Sequence, residues 1–328
     1  MVRPLAVMRL LAEYRASLKA ADVEEHVDVW LHRPLAFVIA KLARPTPLSP
    51  NQLTALSIAL GVAGGLCLFS SSPGVVLSGA ALLFASQVVD CADGMLARMR
   101  KSSSELGRML DGTADSIALA AAVAGTLYRI AQMYPSPGYA QALVLLAGLA
   151  TVHTSSFHTL AYDHYKNAYM RWTVPGSREG EDLDAARARH AAALEAERRG
   201  EPMGWLLRAV YSFYLSYLER TQRFLAWFDP HTEARLDRIP EHDPRSAEIY
   251  RAHHRGLMDA WRSLFGVGSL MLGFVVFNAV GRPDLFLVYR LFVLNTVFFV
   301  LWRLQRRASL ASSRAMGYAP RSTEAVVV

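Results

Sequence analysis

The chain has 328 residues, of which 52% are hydrophobic and only 19% charged, and its formal net charge is +7. That apolar excess argues against a pair of ordinary soluble domains. The positive balance suits anionic lipid headgroups better than nucleic acid, since no basic–aromatic surface pattern accompanies it. Both cysteines, Cys67 and Cys91, fall in apolar stretches and read as buried small hydrophobes, not as a disulfide framework.

The first 25 residues show no isolated apolar core followed by a cleavage site, so no secretory signal is expected. Residues 33–44 (RPLAFVIAKLAR) are apolar with basic ends but too short to cross a bilayer. They predict an amphipathic helix lying in the interface, with Pro34 in its first turn and Pro45 ending it. Ser49, Pro50 and Gln52 then form the signature of a capping box at the start of a first apolar helix. Six transmembrane helices are predicted near 50–71, 74–99, 107–132, 139–165, 258–280 and 284–304, each at least as long as the roughly 20 residues that span the hydrocarbon core.

Arg98, Arg100, Lys101 and Arg108 surround the link between the second and third helices, and the tail from Arg303 onward is rich in arginine. The opposite turns, 70–74 and 133–138, hold no Lys or Arg. The positive-inside rule therefore puts both termini, the 99–106 loop and the long segment after helix four in the cytoplasm, for a multi-pass protein of the inner membrane. Residues 166–257 are different material. An alanine-rich charged helix is expected over 179–200, stopped by Gly200 and Pro202. An aromatic amphipathic helix follows over 205–228, where Glu219, Arg220 and Arg223 disfavour spanning.

The fold class read from this pattern is an all-α integral membrane protein with an N-terminal interfacial helix and a cytoplasmic helical insertion between helices four and five. Its segments are 1–48 (cytoplasmic and juxtamembrane), 49–165 (helices one to four), 166–257 (insertion), 258–304 (helices five and six) and 305–328 (basic tail).

One pattern carries chemistry: Asp90, Asp93, Gly94, Ala97, Arg98, Gly107, Asp111 and Asp115, or D-x2-D-G-x2-A-R-x8-G-x3-D-x3-D. The first five share a face of helix two, and the last three, spaced by fours, share a face of helix three. A short turn between the halves sets the helices antiparallel with these faces opposed. Gly94 and Ala97 remove bulk beside the acids and admit a close approach. Four carboxylates against one guanidinium leave a formal charge of −3 at the membrane edge. That excess calls for divalent cations, and oxygen-only ligands suit two Mg²⁺ or Mn²⁺ ions bridging a diphosphate.

With this motif the chain resembles the CDP-alcohol phosphotransferase (CDP-alcohol phosphatidyltransferase) family, whose signature it matches at every fixed position. Residues 49–54 (SPNQLT) also look like the family's P-N-x2-T at the start of helix one. The resemblance covers roughly residues 45–165 and 258–304; the large insertion departs from compact members. It implies transfer of a phospho-alcohol, most plainly phosphatidyl from CDP-diacylglycerol, to an acceptor hydroxyl with release of CMP, as in phospholipid biosynthesis. By the same resemblance Asp90, Asp93, Asp111 and Asp115 would be the metal ligands, and Asp115 also the general base. Gly94, Ala97, Arg98, Gly107, Asn51 and Thr54 would border the nucleotide and its phosphates. It further implies a homodimer in the membrane, with membrane lipids, a CDP-alcohol and an alcohol acceptor as partners.

Polar residues elsewhere suggest an acceptor pocket: His158, Tyr162 and Lys166, each four apart in helix four, and Arg290 within helix six. Headgroup anchoring is the competing reading for the first three. Arg290 calls for a phosphate or a motif aspartate as partner, and Asn295 for a helix–helix hydrogen bond or a place in the site. His253 and His254 read as solvated, because no third ligand accompanies them at metal spacing. Three rival functions remain: transfer of a soluble CDP-alcohol headgroup to a lipid hydroxyl, intramembrane prenyl transfer, and a divalent-cation transporter or channel. One compact acid cluster speaks against prenyl transfer, and Arg98 among the acids speaks against a cation path.

Overall fold

A computed structural model describes residues 8, 11–15, 17–18, 22–100, 105–134, 138–177, 183–201, 204–233, 236–240 and 242–318; side chains are described for these except 105–115, 206–207 and 237. Among them every regular element is helical. In chain order these are α1 (Arg33–Ala43), entered through a π turn at Asp28–His32, then α2 (Pro50–Cys67), α3 (Pro73–Arg100), α4 (Glu105–Met133) and α5 (Gly138–Thr173). After them come α6 (Leu183–Arg198), α7 (Gly204–Phe228), α8 (Pro244–Leu264), α9 (Val267–Ala279) and α10 (Pro283–Ala315), the last containing a π segment at Tyr289–Leu294.

Among the described residues, five helical stretches are long and apolar enough to cross a membrane: Pro73–Arg100, Ser116–Met133, Gly138–Thr173, Pro244–Ala279 and Pro283–Ala315. The predicted first span differs. α2 is only 18 residues long and opens on the polar run Pro50, Asn51 and Gln52, which lowers its hydropathy. Two predicted spans are longer as helices: the fourth continues to Thr173, and the sixth to Ala315. The fifth is part of a longer helical stretch that breaks at Phe265–Gly266.

The chain forms two compact units, Met1–Thr159 with Trp261–Phe298, and Leu160–Ala260 with Phe299–Val328. In the first, α2 packs along both α3 and α4, while α1 and α9 pack on α3. The capping box forms as expected: Ser49 Oγ accepts from Gln52 N, and Gln52 returns a bond to Ser49 N at 2.8 Å. Aliphatic burial has little drive inside lipid, so small residues set the helix spacing. A Cβ added at Gly65 would lie 2.5 Å from the Ala121 carbonyl carbon, and one at Gly64 would lie 2.8 Å from the Gly79 carbonyl oxygen. One apolar cluster joins α1, α2 and α3 through Phe37, Leu53, Val88, Met95 and Leu96. Another joins α3, α4, α9 and α10 through Leu83, Ala122, Leu270, Phe274 and Phe286.

Two long-range polar contacts complete this unit. No side chain of its own caps α9; instead the Glu25 carboxylate accepts from Gly268 N at 3.3 Å and Ser269 N at 3.0 Å, a negative charge at a helix N-terminus. Arg100 donates to the carbonyls of Leu48 (2.6 Å), Ala43 and Thr46 (both 2.8 Å), which clamps the α1–α2 link to the end of α3.

In the second unit α6 and α7 pair through Leu183, Ala186 and Leu218. The expected stop holds: Gly200 takes φ +68°, and Glu201 N donates to Ala196 O at 3.1 Å. α6, within the charged helix expected over 179–200, has a packed face, and its Arg187 pairs with Glu219 of α7 at 3.1 Å.

Candidate functional site

The last three turns of α3 carry Asp90, Asp93, Gly94, Ala97 and Arg98. Asp93 is 5% exposed, and its Oδ2 accepts the hydroxyl of Thr54, one turn into α2. Beneath that contact a ladder of hydroxyls joins the two helices. Ser57 Oγ donates to Thr54 O and Ser86 Oγ donates to Ser57 O, both at 2.7 Å. A carboxylate bonded to a buried hydroxyl on another helix is held in orientation before any ligand arrives.

Asp90, one turn before Asp93, borders a cavity of about 10 Å³, room for about one water. Ser57, Ser86 and Gln87 supply its polar lining, with Ala118 of α4 and Val267 and Met271 of α9 closing it. Arg98 folds back along α3 over Gly94, where an added Cβ would lie 3.4 Å from its Nη1. Its Nε donates to the Ser17 carbonyl at 2.8 Å, so the N-terminal segment helps to hold the guanidinium. Asn51 is exposed in the first turn of α2.

Gly107, Asp111 and Asp115 follow at four-residue intervals in the first turns of α4. Their side chains lie outside the described residues. Ala118 is one turn beyond Asp115 and touches the cavity that Asp90 borders; a Cβ at Gly61 would meet the Ala118 Cβ at 2.5 Å. The α4 backbone therefore comes against α2 and α3 next to Asp90. The described oxygen donors at this face are carboxylates, hydroxyls and one amide. That set suits hard divalent cations.

The residues expected to form an acceptor pocket divide. In the first unit Arg290, 3% exposed within the π segment of α10, donates through Nη2 to Ser155 Oγ at 2.7 Å, and its Nε has no hydrogen-bond partner. Its bonded partner is thus a serine hydroxyl, not a motif aspartate. His158, 1% exposed, bonds through Nε2 to Asn295 Oδ1 at 2.9 Å and packs edge-on against Phe265 and tilted against Phe298, while its Nδ1 has no partner. Asn295 also donates to Leu291 O at 2.7 Å and to Thr154 Oγ1 at 3.4 Å, so it makes the helix–helix bond. In the second unit Lys166 pairs with Asp163 at 2.5 Å and lies over the Tyr162 ring.

One expectation is corrected. His254 is not solvated: it is 2% exposed, bonded to Ser312 Oγ at 3.0 Å and Gln305 Nε2 at 2.9 Å, because α8 turns that face inward. Ser57, Ser86 and Arg100 went unremarked as site-shaping residues. The first two carried a signal, since Ser57 lies three residues after Thr54 and Ser86 four before Asp90, on the faces of α2 and α3 that bear them. Arg100 carried none, because its partners are backbone carbonyls.

Among the described residues, an all-helical architecture with several helices fit to cross a membrane, and an acid face at the end of one of them, define the class. Residues 47–175 match the CDP-alcohol phosphatidyltransferase family. It is 36% identical over 104 residues to a protein of Rubrobacter xylanophilus named bifunctional IPC transferase and DIPP synthase, covering 30% of this chain and 23% of that one. It is also 36% identical over 84 residues to proteins named phosphatidylinositol phosphate synthase from Mycobacterium bovis and Mycobacterium tuberculosis, covering 26% of this chain and 38% of each. The matches thus span well under half the length of these relatives.

Proposed function

We propose that this protein is a membrane CDP-alcohol phosphotransferase that moves a phosphatidyl group from CDP-diacylglycerol to an acceptor hydroxyl and releases CMP. The observation that carries this reading is the acid face of α3, with Asp93 oriented by Thr54 inside the matched domain. Asp90, Asp93 and Asp111 would hold two divalent cations, Mg²⁺ or Mn²⁺, with Asp115 close enough in sequence to contribute. When bound, these ions neutralise the diphosphate and stabilise the leaving phosphate oxygen.

The protein's own groups do the rest. Asp115 takes the proton from the acceptor hydroxyl as that oxygen bonds to the phosphorus bearing the diacylglycerol. The bond from that phosphorus to the oxygen of CMP breaks, and CMP leaves with the electron pair. Gly94, Ala97 and Gly107 leave room for the nucleotide, and Asn51 and Thr54 flank it from α2. With Arg98 Nε committed to Ser17, its terminal amino groups are the ones assigned to phosphate oxygens.

The acceptor on this reading carries a phosphate of its own. The unpartnered Arg290 Nε and His158 Nδ1 support it, because a buried cation without a carboxylate partner favours an anion. We take α2 as a sixth span, the α3–α4 loop and insertion as cytoplasmic in the inner membrane, and a homodimer as the working assembly. Purified protein supplied with CDP-diacylglycerol, Mg²⁺ and a panel of phosphorylated and plain alcohols should release CMP with at least one of them. Chelation should stop the release and Mg²⁺ or Mn²⁺ restore it. No CMP with any acceptor rejects the assignment.

A further inference from the structure

The aromatic helix α7, in the second unit, is packed on one side and open on the other. Tyr214, Leu215 and Leu218 lie against α6. Leu225 and Phe228 are buried further along; the Phe228 ring stacks on Trp302 of α10 at 5.3 Å, and Trp302 Nε1 donates to the Phe228 carbonyl at 2.8 Å. Away from that packing stand Trp205 (63% exposed), Phe213 (78%) and Trp227 (68%), with Val210 and Tyr217 also exposed. At 3.6 residues per turn these five fall within an arc of about 140°.

The charges of α7 are sorted in the same way. Glu219 is its sole carboxylate, and Arg187 of α6 pairs with it at 3.1 Å. Arg208 pairs with Glu197 of α6 at 2.8 Å. Arg220 and Arg223 are left over: both are exposed, and neither has an ion-pair partner among the described residues. Helical periodicity puts both of them within the aromatic arc. The open face thus combines aromatic rings with two cations and holds no acid.

That combination decides among the surfaces that could cover it. Water is a poor neighbour for a contiguous aromatic face. Spanning is disfavoured, because α7 is 25 residues long yet is not among the described stretches apolar enough to cross. A two-fold contact with a second copy would set this face against itself, with Arg220 and Arg223 meeting their counterparts and no acid to offset them. The boundary between headgroups and acyl chains meets both needs, since it accepts Trp and Tyr rings and presents phosphate oxygens to the cations.

We propose that α7 lies in the interface of an anionic leaflet, with its aromatic arc at headgroup level and Arg220 and Arg223 on lipid phosphates. This contact is independent of the proposed transfer chemistry. It is tested on the full chain in lipid nanodiscs, with Cys67 and Cys91 replaced by alanine and a nitroxide on Ala209→Cys, an exposed position within the arc. Ala191→Cys, exposed on the side of α6 turned from α7, carries the reference label. In discs containing phosphatidylglycerol the label at 209 should collide with oxygen several-fold more, relative to a water-soluble nickel chelate, than the label at 191. In discs of phosphatidylcholine alone that excess should shrink, because each arginine near an anionic surface favours attachment about fivefold. Arg220→Gln combined with Arg223→Gln should erase the difference between the two kinds of disc. Should labelling at 209 prevent folding, Ser216, exposed on the same arc, takes the label. A label in the arc as open to the chelate as the one at 191 would overturn the proposal. So would immersion indifferent to lipid charge in the parent, or a lipid-charge response that survives in the double variant. Spin–spin broadening in the arc that disappears on dilution with unlabelled chain would assign the face to a second copy and overturn it as well.

Discussion

Replacing Thr54 by valine isolates the contact on which the acid face depends. Valine keeps the branched shape and removes the hydroxyl, so Asp93 Oδ2 loses its donor from α2 while the packing between α2 and α3 is nearly retained. Both residues are buried, at 6% and 5% exposure, so water cannot readily replace the lost bond. A hydrogen bond to a charged group contributes about 1.5–3 kcal/mol, or roughly one to two powers of ten in an equilibrium or rate. If Asp93 holds a cation only in its present orientation, that loss should appear in the metal dependence of CMP release. The concentration of Mg²⁺ for half-maximal activity should rise about tenfold or more, with a fall in kcat/KM for the CDP-alcohol. Thr54→Ser, which restores a hydroxyl, should recover most of the loss. Activity and metal dependence within twofold of the parent in Thr54→Val would refute the role assigned to this contact.

Other changes test separate parts of the structure. Asp115→Asn is expected to abolish turnover while leaving CDP-alcohol binding largely intact, as read by equilibrium binding of a labelled donor; undiminished turnover would remove Asp115 as the base. Gly65→Val must push α2 and α4 apart, since even a Cβ would sit 2.5 Å from the Ala121 backbone; overpacking of this kind costs about 1–3 kcal/mol, and the unfolding temperature should fall accordingly. Burial raises the pKa of Asp229 above its ordinary 3.8, so its folded form binds a proton more tightly than its unfolded form. Its contribution to stability therefore falls as pH rises from 3.8 through the raised value, and levels off above it. Relative to Asp229→Asn, the parent should gain stability on acidification across that window in pH-dependent unfolding; the opposite trend would contradict the burial effect.

The sequence alone determined what is local to a helix. The Ser49 cap, the Gly200 stop and the apolar lengths of α3, α5 and α10 were legible because each depends on neighbours within a few residues. The one-sided spacing of Asp90, Asp93 and Arg98 was legible for the same reason, since helical periodicity alone puts residues three and four apart on one face. Tertiary structure decided which faces meet. Nothing in the order of residues says that Asp93 would be met by Thr54, Arg290 by Ser155, or Arg98 by a carbonyl eighty-one residues earlier. The same holds for the interior place of His254. Such pairings depend on how far each helix rotates about its axis. That rotation follows from close contacts such as Gly65 on Ala121, which involve the whole set of packed helices at once.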